Sequence, residues 1–423
     1  VRVPDALTPL REPRFAWYYA ARIVSSAGST MAPIALAFAV LDLSDSAGDL
    51  GLVLAARTVP LVVFLLVGGV VADRFSRTAV MRTANLLSAA TQGAVAFLVV
   101  TGQADLWMLV VLEAANGSVA AFTMPAMEGV IPQLAPRSHL QQANALLSFS
   151  RAGLAVLGPS VAALLVASVG PGWALAFDAA TWLASALLLT RVRLPDRRRA
   201  TGAAPSMLRD LREGWDVFSG TTWLWVVVAG FGVLNMLHAG AWFTLGPALA
   251  RQTFGVQGWG LVLSAESVGL LAMTVVMLRV RLSRPLLAGM LGMLAFAVPL
   301  LVLGVAPQVL PLVVGAFVAG AGVQVFSIGW SVALQENVDE QVLSRVYSYD
   351  ALGSLVAVPV GQVLFGPLGD AFGYRDVLVV CGVVYVLVVL LVLSSRSVRD
   401  LRRGRGVLDS RTSRSTLTRP TGR

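Results

Sequence analysis

The sequence predicts an all-α membrane protein of twelve transmembrane helices, set in two pseudo-symmetric six-helix bundles. Three observations lead there. Of 423 residues, 57% are hydrophobic and only 13% are charged, and the mean hydropathy is +0.76. Soluble domains lie near about 45–50% apolar and about 25% charged. Second, apolar runs of about 20 residues, long enough to cross a bilayer, recur about twelve times between short turns. Third, the arginines fall almost entirely in alternate loops.

Read in order, the spans are 17–41, 50–72, 83–101, 105–127, 143–168, 172–190, 221–245, 258–279, 286–304, 307–333, 345–367 and 375–394. Breakers such as Gly170-Pro171-Gly172 and Ala306-Pro307 separate them. Arg11 and Arg14 precede the first apolar stretch, which lacks a small-residue cleavage site. It therefore reads as a span and not as a removable leader. All 32 basic residues are arginine. With a cytoplasmic N-terminus, Arg74, Arg77, Arg82, Arg137, the cluster Arg191–Arg212, Arg279–Arg284, Arg345 and the tail after Arg396 all lie inside. Only Arg251 and Arg375 lie outside. That asymmetry places both termini in the cytoplasm of a bacterial cell. Trp17, Trp107, Trp173, Trp215, Trp223, Trp242 and Trp259 fall near span ends, as an interfacial belt requires.

The domain plan is then a bundle over 1–195, a cytoplasmic linker over 196–220, a second bundle over 221–395 and a basic disordered tail over 396–423. The linker segment Met207–Phe218 is amphipathic and suited to the membrane surface, as a plain connector or as a regulatory element. Gln133–Gly158 and Gln335–Gly361 echo each other: a glutamine, a polar loop, then a helix with polar residues at one-turn spacing. Repeats of this kind occur in transporter folds. The basic net charge of +9 gathers at membrane boundaries and forms no groove-sized patch, which argues against a nucleic-acid partner. The single Cys381 permits neither a disulfide framework nor a cysteine metal site. His139 and His238 supply no catalytic constellation, and no Walker loop is present. Neither an enzyme, a metal, a cofactor nor an ATP-driven motor is expected.

The loop Gly68-Gly69-Val-Val-Ala-Asp73-Arg74-Phe-Ser-Arg77 resembles the signature loop of the major facilitator superfamily, and it lies between spans 2 and 3 as that signature does. The twelve spans, the 6+6 division and the long central loop extend the resemblance over the whole chain. Leu52–Pro60, Gln142–Leu146, Gln335 and Ser344-Arg345-Val346 are similar to the drug- and siderophore-exporting branch. The resemblance implies a cytoplasmic gate of Gly69, Asp73, Arg74, Arg77 and Arg345, with Asp73 facing the N-terminus of span 11. Asp contributes little to topology, which favours a latch over a purely topological role. Two departures stand out. Glu113-Ala-Ala-Asn116-Gly117 carries a carboxylate where exporters of the superfamily often carry arginine. The antiporter motif of span 5 survives only as Gly153 and Gly158-Pro159.

Charges within spans cost a few kcal/mol on insertion scales and so demand a role. Arg22, Ser25, Ser26 and Ser29 share one face of span 1. In the fold that the resemblance implies, spans 1, 4, 7 and 10 line a central cavity. Arg22, Ser26, Ser29, Asn116, Asn235, His238, Gln324 and Ser327 are its lining candidates. The serines serve equally in close helix packing, and His238 either packs or carries protons. Arg151 and Glu266 reach depths within about 5 Å of each other on spans 5 and 8, which predicts an ion pair between the halves. Glu113 and Glu266 are the first candidates for proton coupling. Asp350 serves either proton coupling or structure near the Asp73 latch. Arg57 and Asp178 read as residues that snorkel from near the span ends. The expected function is alternating-access export of a hydrophobic or amphipathic small molecule by a monomer in the lipid bilayer, with protons as the counter-ion. The rivals are an importer of a nutrient and a membrane receptor or enzyme.

Overall fold

The computed structural model describes residues 7–74, 76–128, 130–134, 136, 139–192, 215–280 and 282–402. Twelve helices in it are long and apolar enough to cross a membrane. They are α1 (Pro13–Ser44), α2 (Ala47–Arg74), α3 (Arg77–Thr101), α4 (Leu106–Glu128), α5 (Leu140–Val169), α6 (Pro171–Leu189), α7 (Thr222–Thr253), α8 (Gly255–Met277), α9 (Pro285–Val305), α10 (Val309–Asn337), α11 (Glu340–Leu355 with Ala357–Phe372) and α12 (Tyr374–Ser394). Each contains one of the expected spans to within two residues at its ends.

The two halves pair their helices alike. Contacts α2–α4, α3–α4, α3–α6 and α1–α6 recur as α8–α10, α9–α10, α9–α12 and α7–α12. Two seams join the halves, α2 on α11 and α5 on α8, and the pseudo-twofold exchanges one seam for the other.

The internal echo has a steric basis. A Cβ at Gly158 would strike Thr30 of α1, and a Cβ at Gly361 would strike the Met236 carbonyl of α7. Each repeat thus seats its glycine against the first helix of its own half. Both first helices are irregular there. α1 breaks at Thr30–Met31, where Pro33 cannot donate a backbone bond. α7 widens into a π-helical stretch over His238–Leu245, within which the Thr244 hydroxyl donates to the Ala239 carbonyl at 3.1 Å.

Two boundary expectations change. The tail does not begin disordered, because Arg396–Arg399 forms a helical turn with Val398 buried. Its remainder from 403 lies outside the described residues, as does linker segment 193–214. The described end of the linker, expected along the membrane surface, packs against α11. Trp215 and Phe218 stack together and close on Tyr349 of α11 at 5.5 and 5.8 Å between centroids.

Gly361→Ala should lower the thermal unfolding midpoint of the detergent-purified protein, by the equivalent of about 1–3 kcal/mol for an overpacked contact. Gly153→Ala, where a Cβ meets open space, should leave the midpoint unchanged or raise it slightly through helix propensity.

Candidate functional site: buried carboxylates and a closed rim

Hydrocarbon supplies no hydrogen bonds, so a carboxylate within a span must find its donor inside the protein. Glu113 on α4 is fully buried. It accepts a hydrogen bond from Gln92 of α3 at 3.2 Å, and its other oxygen lies 3.6 Å from the Arg57 guanidinium of α2. One turn on, Asn116 accepts from Ser88 at 3.2 Å, while Asn85 donates to Ser185 of α6 at 2.9 Å. Asp178 of α6, 1% exposed, lies against Gly28 of α1.

The second half uses indoles. Trp242 donates from Nε1 to Glu266 at 3.0 Å, with its ring between Trp259 and Phe296 at 4.9 and 5.5 Å. Trp330 donates likewise to Asp350 at 2.9 Å, and Ser354 adds a longer bond to the same carboxylate at 3.4 Å. Asn235 donates to the Ser354 carbonyl at 3.1 Å, beside the interruption of α11.

These positions correct several expectations. Arg151 is exposed and Glu266 is committed to Trp242, so the predicted pair between them is not made. The seam register explains why. Ser160 meets Ser264 at 2.7 Å, which sets Arg151 roughly 10 Å beyond the level of Glu266 at 1.5 Å per residue. Glu113 and Asn116 face α3 and α2, not a central cavity, because α4 turns its polar edge to the amides of α3. Arg57 and Asp178 are not snorkelling residues. Asp178 lies about 10 Å inside α6, too deep for its single methylene to reach water. Trp242 and Trp259 are buried and leave the interfacial belt, because α7 continues to Thr253 and α8 begins at Gly255. Trp223 is also largely buried, edge-on to Trp330 at 5.8 Å. Trp17, Trp107, Trp173 and Trp215 are exposed.

Of the remaining cavity candidates, Arg22, Ser26, Ser29, Asn235, His238 and Gln324 are partly exposed and Ser327 is exposed. The Arg22 guanidinium rests on the Met127 thioether of α4, and Ser29 bonds its own helix at the Ser25 carbonyl. His238 is held between Phe243 and Phe296 at 4.9 and 4.7 Å. Pro159 lies within α5, with its carbonyl against Gly260 of α8. Of the predicted gate, Arg77 starts α3 and is partly buried. The side chains of Gly69, Asp73, Arg74 and Arg345 lie outside the described residues. Among those described, no group of three or more His, Cys, Asp or Glu residues is placed to hold a metal.

Sequence reasoning missed the opposite, arginine-poor rim. Asp370, at the end of α11, accepts from the Ser46 hydroxyl at 3.1 Å and the Gly48 N–H at 3.2 Å. Tyr374 holds its other oxygen at 2.7 Å. A carboxylate of one half thus caps the N-terminus of α2 in the other. Arg251 of α7 adds a second tie, reaching Asp42 of α1 at 3.3 Å and also Asp45 just beyond its end. The other arginine of this rim, Arg375, donates to the last carbonyls of α9. The available signal was positional: Asp42, Asp45, Arg251 and Asp370 all flank turns at the same end of the bundle.

The family model for transmembrane secretion effectors, within the major facilitator superfamily, matches residues 5–404. The multidrug efflux pump Tap of Mycolicibacterium fortuitum is 27% identical, over 84% of this chain and 88% of its own. Macrolide efflux protein A of Streptococcus pyogenes is 22% identical, over 92% and 97%. In fold, the chain is similar to a bacterial homologue of the human lysosomal transporter Spinster, solved inward-facing and occupied. The TM-score is 0.71 at 13% identity, covering 94% of this chain and 99% of that one.

Removing both ties, with Asp370→Ala and Arg251→Ala, should free the rim. Each exposed tie is worth about 1 kcal/mol. A cysteine introduced by Thr244→Cys, at a fully buried position beside the seam, should then react with a thiol reagent about tenfold faster. Native Cys381 is buried and gives a low background.

Proposed function

Because the chain belongs to the transmembrane secretion effector family of major facilitator transporters, we propose that it exports an amphipathic small molecule from the bacterial cytoplasm by alternating access, in exchange for protons. The observation that carries this reading is the rim tied shut between halves by Asp370 on the α2 N-terminus and Arg251 on Asp42 and Asp45. Such ties are exposed and individually weak, as contacts that must break in every cycle need to be.

The arginine asymmetry supports an outward position for the tied rim. The protein then has its outer gate closed, the state in which an exporter loads from the inside. The partly or wholly exposed polar residues of α1, α7 and α10, including Ser26, Ser29, Asn235, Gln324 and Ser327, are the cargo surface of this reading. The efflux pumps among its relatives favour export over uptake.

Energised cells producing the chain should expel at least one of a panel of lipophilic dyes, macrolides and siderophores, and a protonophore should abolish the efflux. Robust membrane insertion with protonophore-sensitive uptake of a nutrient, and efflux of nothing, would reverse the direction assigned.

A further inference from the structure

The first bundle holds two buried carboxylates against one cation. Glu113 and Asp178 are at most 1% exposed, and Arg57 is paired with Glu113. The charged groups whose fields reach Asp178 are Arg57 from α2 and Glu113 from α4. Gly28 of α1 lies against Asp178, and the Trp182 indole, one turn on along α6, donates a hydrogen bond to it. The cluster therefore carries one negative charge in excess in a medium that tolerates none cheaply.

Its hydrogen-bond inventory is unbalanced in the same sense. Asp178 Oδ1, Glu113 Oε2 and Gln92 Oε1 are buried with no hydrogen-bond donor. Ionised carboxylates only accept, whereas a protonated carboxyl also donates. One proton removes the excess charge and supplies one of the missing donors. We propose that Asp178 and Glu113, set around Arg57, form the proton-carrying site of this transporter. This rests on the proton-exchange reading above.

The balance is simple. One proton from water binds as a carboxyl O–H of the pair and leaves to water on the other side, with no other bond made or broken. Arg57 makes the exchange inexpensive, because when one carboxylate is neutralised the guanidinium still has the other. It is also the least buried member of the three, with its side chain 34% exposed. The link to cargo runs through α1. Asp178 lies against Gly28 just before the break at Thr30–Met31, so a change of charge there acts on the hinge of a helix that bears Ser26 and Ser29.

The test uses the full chain in liposomes, with erythromycin as the probe. In Asp178→Asn, efflux driven by a pH gradient should fall about tenfold or more, while erythromycin counterflow, which moves no net proton, continues. Gradient-driven efflux at the wild-type rate in that variant would overturn the site alone. Wild-type transport indifferent to the gradient would overturn the site together with the proton-exchange reading. Should Asp178→Asn fail to fold or erythromycin not be carried, infrared difference spectra of purified protein between acid and alkaline buffer decide. The wild type must show a titrating carboxyl band that Glu113→Gln shifts or removes, and a band unaltered in that variant rejects the assignment.

Discussion

A carboxylate surrounded by hydrocarbon has to be given its donor by the protein, and much of the interior follows from that constraint. Glu113 takes an amide and a guanidinium, whereas Glu266 and Asp350 each take an indole N–H. Each solution ties two helices at a defined register, α3 to α4, α7 to α8 and α10 to α11. The apolar remainder of those helices has no comparable preference for register, since lipid solvates leucine as well as leucine does. The polar contacts therefore set which faces meet, and small residues let them meet closely.

The joint between the halves is built differently. Along α2 and α11, Gly51 faces the Gln362 carbonyl and Gly366 faces Ala47. Along α5 and α8, Gly260 faces Pro159. Backbones approach with little interdigitation of side chains, so the seams can slide or open without unthreading large groups. Apart from the Ser160–Ser264 contact on the α5–α8 seam, the ties described between the halves lie on the exposed rim, where water can replace them when they part. The buried carboxylates find their partners within each half, and the ionic ties between the halves are weak and wet. That division is what a rigid-body carrier requires.

Much of the fold was legible in the residues. The twelve apolar runs, the 6+6 division and the echo ending at Gly158 and Gly361 all reflect local composition or spacing, and the structure repeats them. The candidate site was legible only as a list of charges. Arg57 and Asp178 looked peripheral because each lies about two turns inside a span, and distance along a span does not show which neighbouring helix covers the side chain. Glu113 and Asn116 were assigned to the wrong face because a short polar edge on α4 does not show whether it meets a cavity or the amides of a neighbouring helix. The Arg151–Glu266 pair failed on register, a property of two helices that neither sequence contains. Asp370 escaped notice because a residue at a turn carries no sign of the helix end it will meet from another bundle.

The indole clamps have an optical consequence. Trp242 is fully buried, held between two aromatic rings, with its nitrogen on the Glu266 carboxylate. Indole emission responds to charge placed at the nitrogen end of the ring, because excitation moves electron density along its long axis. Any event that neutralises Glu266 or draws α8 away from α7 therefore alters the colour and yield of that emission. The protein carries its own luminescent gauge of the second bundle, with no label to attach.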